Sequence, residues 1–292
     1  MRLLPTGGCL LGIKDLAGLE KPLTKLVETL SGYALEPSLI VRRAKAEAEA
    51  TVIKVQGDIA AAELAARAGH RVEGRELRRQ ANIEAIVTEA ARQLPESVDA
   101  CPVEPDWTAE FINCAQDVSD ETMRSLWGRI LAGEVVEPGS FSRRTLAPAR
   151  LMSKQEAGLF TRFCSFVWWI DNEAVCVRDP NAEEMFRAAN IHFGSLMMLR
   201  VIGLITDEGG PVEMTTHIEP GRDHEFEYFD TRLKVRIGTS DGDVILVTAP
   251  LTLVGMELAA IAGAVRHDEY FDRCLVYYRE SGLELEIMPP SL

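Results

Sequence analysis

The feature that most restricts the fold is a stretch of more than fifty residues without proline, from Ser38 to Leu94. This stretch is dense in Ala, Glu and Arg, which are strong helix formers. Its apolar residues recur at helical spacing, at Ile40, Ala44, Ala48, Val52, Val55, Ile59, Leu64, Leu77, Ile83, Ile86 and Val87. We therefore predict a mainly α protein with a long, coiled-coil-like helical segment over residues 38–94.

The apolar stripe of this segment is thin, because alanines fill its middle. A single helix with so little apolar cover buries too little surface, and packing against a second copy supplies the missing contacts. We predict a homo-oligomer whose interface includes Val52, Val55 and Ile59. The segment also holds three glycines, at positions 57, 69 and 74. Each weakens a helix by roughly 1 kcal/mol relative to Ala, so a hairpin near residues 69–75 is the alternative to one continuous helix.

Residues 1–37 are predicted to be an amphipathic N-terminal segment. Six apolar side chains share one helical face, namely Leu16, Leu19, Leu23, Leu26, Val27 and Leu30. Pro22 either divides this segment into two short helices or begins the second one. Its lysines are matched by acids, so packing against protein is favoured over contact with a membrane surface.

Composition limits the class of protein. The chain has 292 residues, of which 47% are hydrophobic, and a formal net charge of −14. It has no run of 18 apolar residues and no continuous apolar segment typical of a secretion signal. We therefore expect a cytoplasmic protein, with a peripheral position at the inner membrane as the alternative.

Cysteine and charge patterns exclude further classes. Six cysteines without a Cys-x-x-Cys pair indicate free thiols in a reducing compartment, and we expect neither a metal nor a cofactor. The acidic net charge argues against general nucleic-acid binding, because phosphates require Lys and Arg. Residues 41–95 are the local exception, with ten Lys and Arg against eight Asp and Glu.

Residues 95–106 hold three prolines and four acids and are predicted to be a linker. A helical domain is expected over residues 107–177. Ser119 is the predicted N-cap of one of its helices. Ser153 and Glu156 predict the capping box of another helix, which continues through Trp168.

Residues 178–292 are predicted to form an α+β domain with a winged-helix-like arrangement. We expect a buried helix in residues 193–210 and a second helix over residues 251–265. β-Branched and aromatic residues predict strands over residues 211–218, 231–239, 243–249, 273–278 and 283–288. Because the chain is acidic, we interpret this domain as a protein-interaction module rather than a DNA reader.

One polar cluster has a physical basis for binding an anion or a partner. It consists of Ser140, Ser142, Arg143 and Arg144. Hydroxyls, backbone N–H groups at a helix start and two guanidinium groups can hold a phosphate or an acidic side chain. The alternative is that Ser142 caps the helix while the arginines pair with Glu134 or Glu137.

No arrangement of residues typical of an active site is recognised, so we predict no catalytic residue and do not expect an enzyme. His217 and His224 stand near several acids, but their separation is not a ligand spacing, and a solvated loop is expected there. An enzyme with a cryptic metal or phosphate site around His217, His224 and Arg143 is the alternative.

Several stretches of residues 12–165, above all "AQDVSDETMRSLWGRILAGEVVEPGSFSRRTL", resemble a bacterial family described only as a domain of unknown function. The order of a basic Ala-rich helix, a proline linker and a Pro-x-x-Phe step is similar to the layout of the abortive-infection alpha family of phage-defence proteins. Neither resemblance supplies a catalytic residue. The second resemblance implies a non-catalytic, self-associating sensor or effector in anti-phage defence, which binds a phage or host protein. A peripheral membrane protein that perturbs the bilayer is the other alternative.

Overall fold

The computed structural model describes residues 20–30, 59–95, 101–206, 214–238 and 244–289. The described chain divides into two compact units, Met1–Arg150 and Leu151–Leu292. Residues 38–58, which include Val52 and Val55 of the predicted interface, lie outside the described residues.

The described part of the N-terminal unit is helical. Its helices are α1 (Glu20–Leu30), α2 (Ile59–Ala91), α3 (Pro105–Ala115), α4 (Glu121–Val136) and α5 (Arg143–Leu151). Helix α1 packs against α2, α3 and α4 and buries Leu26 and Leu30. Two residues of the predicted apolar face, Leu26 and Leu30, therefore lie against other helices of the N-terminal unit.

Helix α2 continues through Gly69 and Gly74 without a break, so the described part of the segment is one helix and not a hairpin. Its C-terminal part packs against α4 and buries Ile83 and Ile86. The two helices cross closely at Gly128, where an added Cβ would lie 2.6 Å from Cβ of Glu89.

Helix termini follow local capping chemistry. The predicted capping box of Ser153 and Glu156 is confirmed at the start of the next helix, Lys154–Cys164. The expected N-cap at Ser119 is wrong by one residue, because the Asp120 side chain accepts a hydrogen bond from the backbone N–H of Met123. An Asp carboxylate caps as well as a Ser hydroxyl and adds negative charge at the positive end of the helix dipole.

The C-terminal unit has an α+β architecture, which confirms the predicted class. Its helices are α6 (Lys154–Cys164), α7 (Glu183–Ala188), α8 (Phe193–Ile202), α9 (Leu253–Ala259) and α10 (Asp268–Glu280). Its strands are β1 (Val167–Ile170), β2 (Glu173–Val177), β3 (Met214–Ile218), β4 (His224–Tyr228), β5 (Thr231–Ile237), β6 (Val244–Pro250) and β7 (Leu283–Ile287). Within the described ranges they form one antiparallel sheet in the order β3-β6-β2-β1-β4-β5-β7. The winged-helix-like arrangement stays a prediction.

Aromatic side chains form the core between this sheet and α10. The ring of Trp168 on β1 stacks on Tyr228 of β4 and on Phe271 of α10, with ring centroids 4.8 and 5.6 Å apart. The hydroxyl of Tyr270 lies 3.0 Å from the carbonyl oxygen of Phe166 and 2.9 Å from that of Val177. Large buried rings with satisfied hydroxyls stabilise the contact between helix and sheet.

Two expectations about secondary structure are wrong. The helix expected through Trp168 ends at Cys164, because the following residues pair with β2 and β4 in the sheet. Residues 273–278 lie in α10 and not in a strand. Here Tyr270, Cys274 and Tyr278 recur at helical spacing and are all buried, which outweighs the strand propensity of the segment. The two compact units divide after Arg150, and the predicted domain boundary at residue 177 stays a prediction.

Among the described residues, no helix has both the length and the apolar character required to cross a membrane.

Candidate functional site

A buried carboxylate organises the turn that follows α4. Glu134 is buried, and its two carboxylate oxygens accept the backbone N–H groups of Gly139 at 2.8 Å and Phe141 at 3.0 Å. The indole Nε1 of Trp107 donates to the carbonyl oxygen of Phe141 at 2.7 Å. These three hydrogen bonds fix the backbone of the turn, since each satisfies a polar group that is removed from water.

Two glycines make this turn sterically possible. A Cβ atom at Gly133 would lie 2.5 Å from Cε2 of the Phe141 ring, so only glycine lets that ring pack against α4. Gly139 has a φ of +95°, in the region that side chains disfavour and glycine adopts readily. The turn is therefore specified by a few residues on either side of the end of α4.

A cavity of about 560 Å³ lies beside the turn. Its wall is mainly apolar and is formed by Pro102, Val103, Pro105, Trp107, Pro138, Gly139 and Phe141. Its polar lining consists of Glu104, Glu134, Ser142 and Arg143. Such a cavity suits a ligand with an apolar body, while the side chains of Ser142 and Arg143 can bind a polar or acidic group.

The structure places two of the four predicted anion-binding residues in this cavity. Ser142 and Arg143 line it, whereas the hydroxyl of Ser140 donates to the carbonyl oxygen of Glu137 in the turn. Arg144 is exposed. The hydroxyl of Ser142 lies 3.2 Å from that of Thr145, one turn into α5.

The structure brings Arg143 close to a carboxylate other than those of Glu134 and Glu137, namely that of Asp106. Glu134 binds backbone N–H groups, and Arg143 approaches Asp106 with a distance of 3.7 Å between Nη1 and Oδ2. Both side chains of this ion pair are more than half exposed, so it contributes little stability and leaves the guanidinium able to reach another anion.

Glu134 and Trp107 determine the geometry of this site but are not among the residues predicted for it from the sequence. One signal was present, since Glu134 continues the helical spacing of Trp127 and Ile130 and so falls on the buried face of α4. An acid at a core position needs hydrogen-bond donors, and the backbone of a following turn is the nearest source. The contribution of Trp107 depends on a contact between residues 34 positions apart.

The described residues of α2 that come directly after the predicted oligomer interface are exposed or half-buried. The side chain of Ile59, like Val52 and Val55, lies outside the described residues. From Glu63 to Ala81, which we call the arm, none of the described side chains is buried. Leu64 is 61% exposed and Leu77 is 57% exposed.

The two histidines do not lie in a solvated loop, and that expectation is wrong. His217 is exposed on the edge strand β3, whereas His224 begins β4 and is buried. The Nδ1 atom of His224 lies 2.9 Å from a carboxylate oxygen of Asp171, and its Nε2 lies 3.0 Å from the carbonyl oxygen of Glu219. In the part of the chain that the structure describes, no three His, Cys, Asp or Glu residues are grouped so that they could hold a metal ion.

A second concave surface, of about 300 Å³, lies in the C-terminal unit. It is lined by Cys164, Val167, Trp169, Glu227, Phe229, Ala259, Ala260, Gly263 and Ala264. Phe229 has a φ of +54°, which is unusual for a bulky residue. Burial raises the pKa of the Cys164 thiol, so this thiol remains protonated and is a poor nucleophile. This concave surface therefore offers aromatic side chains for contact rather than an activated nucleophile.

The fold and the cavity define a two-unit protein with a helical N-terminal unit and an α+β C-terminal unit, whose sites are suited to binding. The chain belongs to the family described as "Protein of unknown function (DUF2806)", which matches residues 66–274 and thus includes the cavity, most of the arm and the greater part of the sheet. No curated protein and no solved structure matches the chain.

Proposed function

We propose that this chain is a non-catalytic, self-associating sensor or effector in bacterial anti-phage defence. Self-association rests on one observation, which is the absence of any buried side chain among the described residues of the arm. The role in defence rests on the resemblance in layout to the abortive-infection alpha proteins. A cytoplasmic location follows from the same proposal.

Most of the stability of a helix in a protein comes from packing of one face rather than from helix propensity. The arm spans 19 residues without a buried side chain, and its ion pairs with Asp117 lie only near its C-terminal end, at Arg78 and Arg79. Leu64, Ala68 and Val72 are spaced four apart and continue the helical face that carries Ile83 and Ile86 in the core. This face is the surface on which a second copy would pack.

The charge of the arm favours assembly of an otherwise acidic chain. The arm holds five arginines and three glutamates, a balance of +2 with His70 neutral, whereas the whole chain has −14. The arm therefore carries both signs of charge, so arginines of one copy can pair with glutamates of another along it. This face is the proposed oligomer interface within the described residues. The interface predicted at Val52, Val55 and Ile59 stays a separate prediction, because Ile59 begins α2 on the face opposite Ala68.

The cavity beside Trp107 and Phe141 is the proposed site for the trigger. Its apolar wall suits an apolar group, and Arg143 with Ser142 suits an acidic side chain or a phosphate. A phage or host protein that presents an acidic segment is the proposed partner. The C-terminal unit, expected from sequence to be winged-helix-like, serves here as a protein-interaction module.

Molar mass by light scattering tests the proposed self-association. Wild-type chain at micromolar concentration should exceed the mass of 32.2 kDa for one chain. Leu64→Asp should lower the mass, whereas Leu77→Asp should not, because the two leucines are similarly exposed but lie on opposite faces of α2. A wild-type mass of 32.2 kDa, or equal effects of the two substitutions, would contradict the proposal.

Phage challenge tests the role in defence. Bacteria that express the chain should yield fewer phage than cells carrying an empty vector, and Leu64→Asp should restore the yield while Leu77→Asp should not. Equal phage yields with and without the chain would count against this role.

The membrane alternative makes a different prediction. Because Leu26 and Leu30 of α1 are buried within the N-terminal unit, binding to anionic vesicles should be weak. Strong co-sedimentation that is lost in Leu23→Asp would favour the membrane alternative instead.

A further inference from the structure

Helix α8 is apolar on both of its faces. Leu196 and Leu199 on the inner face are buried in the C-terminal unit. On the outer face, Phe193 is 71% exposed, Met198 is 47% exposed and Val201 is 83% exposed. The expectation of a buried helix is therefore correct for one face and wrong for the other. A helix that is apolar all round is normally buried on all sides.

The apolar surface continues beyond α8. The hydroxyl of Thr252 donates to the carbonyl oxygen of Gly203, the residue that ends α8, so the start of α9 lies beside that end. Leu253, the first residue of α9, is 71% exposed. We call Phe193, Met198, Val201 and Leu253 the α8 patch.

The α8 patch lacks charge although the chain is strongly acidic. The only charged residue of α8 is Arg200, which is buried and does not lie on the outer face. In a chain of net charge −14, most surfaces of two copies repel each other when they meet. An uncharged apolar surface is the kind of surface on which two such copies can approach.

The size of the α8 patch fits a contact between two copies. At the exposed fractions above, four side chains of this size present on the order of 500 Å² of apolar surface, which is near the largest patch on a typical monomer. Two facing patches would remove roughly 1,000 Å² from water, which is the lower end for a specific interface.

We infer that the α8 patch is a second self-association surface, on which the α8 helix of one copy packs against that of another. The inference builds on the proposed function, because it adds a contact in the C-terminal unit to that of the arm. A symmetric contact uses the same residues on both copies and closes after two. Two different symmetric contacts on one chain continue the assembly beyond a dimer.

A pair of valines provides a matched test. Val201→Glu introduces a charge into the α8 patch, and Val265→Glu introduces the same charge at a valine of the same unit that is 74% exposed outside the patch. Both sites are exposed, so both variants should fold, which circular dichroism checks. Light scattering should give a mass above two copies for wild type and for Val265→Glu, and a lower mass for Val201→Glu.

Combination with the arm variant separates the two proposals. Leu64→Asp alone and Val201→Glu alone should each form dimers, and the double variant should have the mass of one chain, 32.2 kDa. If Leu64→Asp lowers the mass while Val201→Glu matches wild type, the inference about α8 is wrong and the proposed function stands. If only Val201→Glu lowers the mass, the proposed role of the arm fails and the α8 surface stands. Vesicle binding by wild type that Val201→Glu abolishes without a change in mass would identify a membrane as the occupant and overturn the inference.

Discussion

The imidazole of His224 lies 2.9 Å from the carboxylate of Asp171, a residue 53 positions earlier in the chain. Asp171 also accepts the backbone N–H of Glu225 at 3.0 Å and approaches Arg222 at 3.2 Å. The other ring nitrogen of His224 lies 3.0 Å from the carbonyl oxygen of Glu219, so each ring nitrogen faces an oxygen acceptor. This network joins the turn between β1 and β2 to the start of β4.

The first prediction is that the two histidines contribute differently to the free energy of unfolding. His224→Ala should lower the free energy of unfolding by about 1–3 kcal/mol, because it removes a buried ring whose nitrogens lie within hydrogen-bond distance of Asp171 and Glu219. His217→Ala, at an exposed position on an edge strand, should change it by less than about 0.5 kcal/mol. Urea denaturation measures both values, and elemental analysis of the wild type should show no stoichiometric transition metal. Equal effects, or a bound metal lost in His224→Ala, would contradict this account.

The second prediction concerns acid stability. Burial raises the pKa of Asp171, but the hydrogen bonds from Glu225 and His224 and the charge of Arg222 outweigh this effect, so the pKa is lowered from 3.8. A carboxylate with a lowered pKa contributes stability that is present above the unfolded value and is lost as the pH falls through the folded value. Wild type should therefore lose stability more steeply below about pH 4 than Asp171→Asn.

Asn is the appropriate replacement at this position because Asp171 has a φ of +51°, which Asn tolerates. Asp171→Ala should be less stable than Asp171→Asn at every pH, since it adds backbone strain. Thermal melts between pH 3 and pH 7 measure both effects. Parallel acid profiles for wild type and Asp171→Asn would show that the charge of Asp171 has no role.

The third prediction concerns the turn at the cavity. Glu134→Ala leaves two N–H groups without their acceptor and should lower the free energy of unfolding by about 3 kcal/mol. Glu137→Ala, three residues later and exposed, should change it by less than about 0.5 kcal/mol. Denaturant titration followed by tryptophan fluorescence measures both. Similar values for the two variants would show that the buried carboxylate does not organise the turn.

The fourth prediction is that replacing glycine by alanine lowers the free energy of unfolding at one position and raises it at another. A Cβ at Gly255 would lie 2.0 Å from the carbonyl oxygen of Leu204, so Gly255→Ala should destabilise the C-terminal unit by about 3 kcal/mol. Gly69 lies in the exposed arm with nothing within 4 Å of an added Cβ. Gly69→Ala should therefore stabilise α2 by about 0.5–1 kcal/mol.

Amide hydrogen exchange resolves the two changes by region. Exchange should slow in α2 of Gly69→Ala and accelerate around α8 and α9 of Gly255→Ala. Faster exchange in the arm of Gly69→Ala would show that Gly69 is needed for a close contact there.

The features that depend on neighbouring residues could be predicted from the sequence. The capping box of Ser153 and Glu156 joins residues three positions apart, and the helical character of residues 59–91 follows from propensity and spacing. The α+β class of the C-terminal part follows from the alternation of strand-forming runs with apolar helices. Hydrogen bonds and side-chain neighbours within one helical turn are set by local sequence, so these features are readable without the fold.

Partners distant in sequence were decided by the tertiary structure. Residues 167–170 pair with strands on both sides, one of them more than fifty positions away, and this pairing ends a helix that local periodicity would continue. Likewise, residues 273–278 have the composition of a strand, yet Tyr278 packs against Trp168 and Phe226 as part of a helix. Burial of aromatic surface in the folded core outweighs the small differences in intrinsic propensity.

The candidate site also depends partly on local sequence and partly on tertiary contacts. The sequence by itself determined that Ser142 and Arg143 stand at the start of a helix after a turn, because proline, glycine and serine specify local backbone geometry. Only the tertiary structure decided that Trp107 and the buried carboxylate of Glu134 hold that turn beside a cavity. It alone decided that His224 is buried and that the outer face of α8 is exposed. Local hydrogen bonding and spacing are encoded over a few residues, whereas burial depends on which distant segments occupy the space around each side chain.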